Sequence, residues 1–219
     1  MSNNANYVSA GKPKIGGAIY RAPLGTALPT DAASALNEAF KCVGYISDEG
    51  MVNQNNQDVA TVHAWGGDEV MTSVQNQSDR FVYTMIECMN LEALKTVYGD
   101  GNVSGTLADG ITIRKNSAPQ ASFAWVCDTI LNDNVLDRIV VPSAQVVEVG
   151  DIQRVDGEPI GYPTTIMAKP FTGWKTAAGA EDANQGDTHR EYMVQQAAAG
   201  GNEQPAEGGN EQPAAGGNG

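Results

Sequence analysis

Period-two alternation of apolar side chains recurs along most of this chain, and it confines the fold to one built from sheets. In RFVYTMIECM (80–89), Phe81, Tyr83 and Met85 fall on one side and Val82, Thr84, Ile86 and Cys88 on the other, because successive side chains of a strand point to opposite faces. Both sets are largely apolar, which predicts a strand covered on both sides. ASFAWVCDTI (121–130) alternates in the same way, with Phe123, Trp125 and Cys127 against Ala124, Val126 and Ile130. RIVVPSAQVVEV (138–149) reads as a long strand whose Pro142 has no amide to donate, predicting an edge position or a bulge. Shorter strands are expected in 39–47, 59–65, 69–75, 110–115 and 163–171, separated by turn residues. The expected fold is mainly β, a β-sandwich or barrel.

One segment breaks the period. NLEALKTVYG sets Asn90 as an N-cap, Leu91, Leu94 and Tyr98 at helical spacing, and Gly99 just past the end. A single short helix is expected there, its Leu stripe flanking the sheet. The chain of 219 residues is long enough for one domain that buries about 70% of its unfolded surface. Residues 1–19 are polar and Gly-rich and read as an arm, and 20–176 as the β domain. From 177 to 219 a flexible acidic tail is expected, with a short ordered patch near HREYMVQQ. GGNEQPA occurs twice there, at Gly200 to Ala206 and Gly208 to Ala214, and such a composition cannot bury enough apolar surface to offset chain entropy.

The net charge is −13, and it is distributed over the whole chain. From Glu181 onward there are seven acids and one base, so the preceding residues remain acidic by themselves. Phosphate binding needs clustered Lys and Arg, and no such cluster exists. Between Cys42 and Asp79 there are six acids and no Lys or Arg, which reads as a solvated polar loop. Cys42, Cys88 and Cys127 are odd in number and far apart, so they suit neither a disulfide framework nor a zinc site and are expected to be reduced core residues. With no apolar run long enough to span a bilayer, the protein is expected to be soluble, without membrane insertion, and made in a reducing cytoplasm.

GGDEV at 66–70 comes within one residue of the diguanylate cyclase signature. That enzyme needs alternating strands and helices, and this chain offers a single helix. The glycines instead read as a hairpin turn between two strands, since Gly-Gly tolerates the positive φ of tight hairpins. His63 alternates with Thr61 and Trp65 as a strand residue, and adjacent acids such as Asp48 and Glu49, or Asp68 and Glu69, would diverge on a strand. No nucleophile elbow, phosphate loop or zinc-protease motif occurs. No enzymatic activity, cofactor, catalytic residue or metal ligand is expected.

The order of RAPLGTALPTDAASALNEAFKCVGYISDEG, AWGGDEV, FVYTMIECMNLEALKTVYGDGNV, RIVVPSAQVVEVGDI and YPTTIMAKPF resembles the major tail tube proteins of long-tailed, non-contractile bacteriophages, over Tyr20 to Trp174. The resemblance implies a structural virion protein, a β-sandwich or barrel flanked by a helix, assembling with itself into stacked hexameric rings that deliver DNA. It implies tape measure, tail terminator and tail-tip or baseplate proteins as partners, with phage DNA passing through the lumen without sequence-specific binding. It also implies that the loop Asp48 to Asp58 and the arm Ser2 to Gly17 bridge neighbouring rings. Asp48, Glu49, Asp58, Asp68 and Glu69 are thereby the candidate inter-ring or lumen contacts. The alternative is a monomeric β-sandwich module that binds carbohydrate or protein.

Overall fold

The computed structural model describes residues 3–132 and 135–196. In chain order the strands are β1 (Lys12–Pro13), β2 (Ile19–Pro23), β3 (Lys41–Cys42), β4 (Ile46–His63) and β5 (Glu69–Met85). Helix α1 (Leu91–Tyr98) follows, then β6 (Val103–Thr106), β7 (Gly110–Ile113), β8 (Ser122–Ile130), β9 (Val135–Val149), β10 (Tyr162–Ala168) and β11 (Arg190–Gln195). Strand accounts for 47% of the described residues and helix for 8%, so the fold is mainly β.

The main sheet runs β3-β2-β8-β9-β10-β5-β4, with β1 added to β8 and β11 to β9, while β6 and β7 pair apart. Every pairing is antiparallel. The sheet does not close into a barrel, but it curls. Strands β5 and β8 are separated by two others, which in a flat sheet means about 14 Å, yet the rings of Tyr83 and Trp125 lie 6.3 Å apart.

Alternation along β8 divides the interior in two. Trp125 and Cys127 join Ile19, Val141, Ile166, Phe81, Tyr83 and Met85 on the concave side, closed by Ala93, Leu94 and Val97 of α1. Ala124 and Val126 join Ala22 and Val140 on the other side, where Phe40 and Trp174 arrive from connecting segments. The thiol of Cys127 is pushed up to about 12 by burial, then by the charges of Asp128 and Asp137. Cys42 and Cys88 are only half-buried, so of the three expected core cysteines Cys127 lies within the core, Cys88 packs against its edge and Cys42 does neither.

Helix α1 has the bounds its caps dictate. The Asn90 side chain accepts from the Glu92 amide at 2.9 Å, and Gly99, at φ 91°, ends the helix with its N–H on the Lys95 carbonyl.

Three expectations need correction, and a fourth, at Pro142, resolves to one of its two alternatives. In β5 the buried residues Asp79, Phe81, Tyr83 and Met85 all lie on one side, and Val82 and Thr84 on the opposite side are half-exposed, so that strand is covered on one face. Pro142 takes the bulge rather than the edge position: it lies in a central strand, where β8 steps from Phe123 opposite Ala144 to Trp125 opposite Val141. On the other edge of β9, β11 pairs as far as Val140 and β10 begins at Ala144, so the missing amide falls in the gap between two partners. The polar stretch from Asp48 to Asp58 is strand, part of β4, and the segments 59–65 and 69–75 continue into far longer strands than alternation suggests.

The third correction concerns the C-terminal side. β10 and β11 share one edge of β9 and run in the same direction, as one strand lane interrupted by an excursion. The excursion is pinned at its base by bonds between Phe171 and Asp187 and between Gly186 and Phe171, and Trp174 fills the second core. Structured chain thus extends well past 177, and the patch expected at HREYMVQQ is β11. The repeats from Gly200 onward lie outside the described residues.

A buried ion pair fixes the other cover of that core. Arg138, with 1% of its side chain exposed, meets Asp128 through Nε at 2.6 Å and Nη2 at 2.8 Å. Its Nη1 donates to the carbonyls of Asp31 and Ser34 at 3.1 and 2.9 Å, tying the long β2–β3 connection to the sheet.

Candidate assembly interface

Beyond the Asn53–Phe81 pair, β4 and β5 leave the body of the protein as a two-stranded ribbon. Its register runs Asn55 opposite Asp79, Gln57 opposite Gln77, Val59 opposite Val74 and Val62 opposite Met71, with a shift between Asp58 and Val59. Nearly every residue from Asn53 to Gln77 is exposed, so the ribbon packs against nothing on either face. At about 3.3 Å per residue it projects roughly 30 Å. The turn is closed by the Ala64 amide on the Asp68 carbonyl at 2.7 Å and the Gly67 amide on the Ala64 carbonyl at 3.0 Å. Gly66 and Gly67 have φ of 120° and 98°, the left-handed region that the Gly-Gly turn was expected to need.

All five acids singled out in the sequence fall on this hairpin. Asp48 and Glu49 occupy the irregular stretch near its root, Asp58 sits at the mid-ribbon shift opposite Asn76, Asp68 is in the turn, and Glu69 opens β5 opposite His63. They are spread along the ribbon rather than gathered into one cluster. The Asn76 amide reaches Asp58 at 3.5 Å and the Thr72 hydroxyl donates to Glu69 at 2.6 Å. His63 is exposed at the ribbon end.

Sequence reasoning missed the apolar side chains carried to the same tip. Val59, Val62, Val70, Met71 and Val74 are each more than half exposed, and Trp65 projects fully into solvent. Adjacent strand residues face opposite ways, so Val59 and Val74 share one face while Val62 and Met71 share the other. The signal was present in VATVHAW and EVMTSVQ, but alternation alone cannot tell a core face from an exposed one. Exposed apolar side chains gathered at one tip, even on its two faces, and rimmed by charge are the kind of surface that another macromolecule covers.

Where the ribbon leaves the body, a polar anchor fixes its root to β11. The Asp79 carboxylate, 3% exposed, meets His189 Nδ1 at 2.6 Å and accepts from the Thr188 hydroxyl at 2.6 Å. Its hydrogen bond to Asp79 raises His189 above its usual value despite burial. Burial would raise Asp79, but the bonds from His189 and Thr188 outweigh it and hold that carboxyl low. Next along the strand, Glu191 is raised by burial and then by the charge of Asp137 on β9. A raised histidine contributes stability that is complete below its unfolded value and is lost as pH rises through the folded one. The raised Glu191 has the same sign, whereas Asp79 loses its contribution only when pH falls through its lowered value. The seating of β11 is therefore expected to be strongest in mildly acidic solution and to weaken above about pH 7. Melting temperatures across this range should show the decline, and His189→Gln should flatten it; an unchanged slope in that variant would remove His189 from the anchor.

Among the described residues no group of three His, Cys, Asp or Glu side chains is arranged to hold a metal ion, and no helix is long and apolar enough to cross a membrane. A β domain that projects an unsupported, apolar-tipped ribbon has the form of a structural subunit built to join others. The family model described as phage tail tube protein matches residues 1–177, and the chain belongs to that family. No curated protein matches it. This is a structural family, so the protein is a structural component of the phage tail. β11 lies beyond the matched residues.

Proposed function

We propose that this subunit assembles into hexameric rings that stack into the phage tail tube, through which DNA passes into the host. The family implies self-assembly into a tube with other tail proteins, and the observation that carries the finer reading is the ribbon. Its exposed backbone edge and apolar tip are a hazard in a lone monomer and a natural joint in an assembly. A subunit whose joining surfaces differ associates head to tail, and head-to-tail contacts either close into rings or stack with one polarity.

The acids Asp48, Glu49, Asp58, Asp68 and Glu69 serve as inter-ring or lumen contacts in this reading. A negative bore repels phosphates and keeps DNA mobile, whereas even about six Lys or Arg contacts would hold it in a salt-dependent grip. The arm up to Gly17 contributes a second bridge between rings; Ser2, its expected start, lies outside the described residues. The tape measure, terminator and tail-tip proteins are the remaining partners, and synthesis takes place in the host cytoplasm.

Electron microscopy of the purified full-length protein tests the assembly. Sixfold rings or tubes of uniform bore are expected, and a monomer that never polymerises, even with its tail partners present, overturns the reading. Replacing the five acids with Lys is expected to impair assembly or slow DNA ejection; if both were unchanged, the ribbon would have no such role.

A further inference from the structure

The sheet register gives the ribbon a direction. Asp79 pairs with Ala168, and Ala168 with Ala144, so β5 runs parallel to β9 and the ribbon from Asp79 back to Glu69 points toward the Val135 end of the sheet. Ser122 pairs with Gln145 in the antiparallel β8. The chain that precedes Ser122 therefore continues in the opposite direction, toward the Val149 end. There it bounds a cleft of about 600 Å³ between the end of α1 and the β7–β8 connection, lined by Tyr98, Asn102, Arg114, Lys115, Pro119 and Phe123 among others.

This cleft is basic in a protein that is otherwise acidic. Arg114 donates to the Gly101 carbonyl at 2.7 Å, and the Lys115 ammonium lies 5.9 Å from the centre of the Tyr98 ring. Among the described residues neither forms an ion pair, and both are exposed. The nearby carboxylate, Asp100, is engaged by Arg21 at 2.7 Å. Tyr98, Pro119 and Phe123 in the same lining supply apolar and aromatic surface, with the Arg21 guanidinium already 4.6 Å from the centre of the Phe123 ring. The ribbon tip is the complement in each respect, with Trp65 standing free beside Asp68 and Glu69.

We infer that the ribbon tip of one copy seats in this cleft on the next, with Trp65 against the aromatic floor and Asp68 and Glu69 against Arg114 and Lys115. The inference rests on the tube reading and names the receiving surface that reading leaves open. Plug and socket lie at opposite ends of the sheet, so each copy offers one of each and the contact joins copies head to tail with one polarity. An aromatic anchor ringed by opposite charges is the composition in which binding energy concentrates, and the charges set the register of docking.

Charge reversal in the full-length protein tests it. Asp68→Lys with Glu69→Lys, and separately Arg114→Glu with Lys115→Glu, are each expected to cut tube mass by at least about tenfold while leaving the melting curve of the subunit unchanged. Mixing the two variants rebuilds both kinds of attractive contact, so tubes should return, as they should when all four changes are placed in one chain. If the cleft variant polymerises like the parent while the ribbon variant does not, the ribbon docks elsewhere; the tube reading survives and this inference falls. If the parent itself never assembles, both fall together.

Discussion

Arg138→Met is expected to cost the domain about 3–5 kcal/mol, the usual penalty for removing one partner of a buried ion pair. The side chain of Asp128 is 4% exposed and would keep only Lys14, at 3.3 Å, to balance its charge. The carbonyls of Asp31 and Ser34 would lose their donor at the same time, loosening the segment that brings Phe40 over the second core. For a domain of this size the melting temperature should fall by roughly 10 °C. A companion variant separates charge from packing: Arg138→Met with Asp128→Leu removes both charges, and replacing a buried pair with apolar side chains is often neutral. Most of the lost stability should therefore return. If the double variant melts no higher than the single one, the cost lies in the loop carbonyls rather than in the stranded carboxylate.

Replacing residues 56–78 with Asn-Gly is expected to abolish tube formation while leaving the subunit folded. Asn55 and Asp79 lie directly opposite one another, so a two-residue turn can join them without changing register, and Asp79 keeps its bonds to His189 and Thr188. The deleted segment buries nothing in either core, so the melting temperature should stay within a few degrees, about the effect of surface changes. Sedimentation and electron microscopy should then show monomers where the parent forms tubes. Tubes of ordinary length from the shortened chain would remove the ribbon from assembly altogether.

What the sequence disclosed follows from which surfaces are buried. Trp125 and Cys127 alternate with Ala124 and Val126 because β8 has a core on each side, and period two is legible wherever a face is covered. Helix α1 was equally plain, since Asn90 and Gly99 act on their own neighbours. Asn53 to Asp58 carries no such imprint. Neither face of the ribbon is buried, so backbone pairing rather than side-chain pattern makes it strand, and it read as a loop. β11 was obscured because its anchors, Asp79 and the edge of β9, lie far back in the chain. The same holds for Arg138 and Asp128, which become partners only once β8 and β9 are in register. The five acids were legible as a group, and the structure sets them along one hairpin. The apolar tip between them and the basic cleft at the far end of the sheet required the fold.

The pairing of β2 with β8 has a consequence for how the subunit is made. Ile19 finds its neighbour only when Cys127 exists, so the central sheet cannot close until well over half of the chain has left the ribosome. The ribbon, by contrast, is local and needs only the turn at Gly66 and Gly67; hairpins form in about 1–10 μs. A newborn chain can thus pair these two strands transiently before it has a core, an isolated hairpin being only marginally stable. Acids are spaced along that ribbon, and like charges oppose edge-to-edge pairing between chains, so Ala in their place is expected to raise aggregation during synthesis.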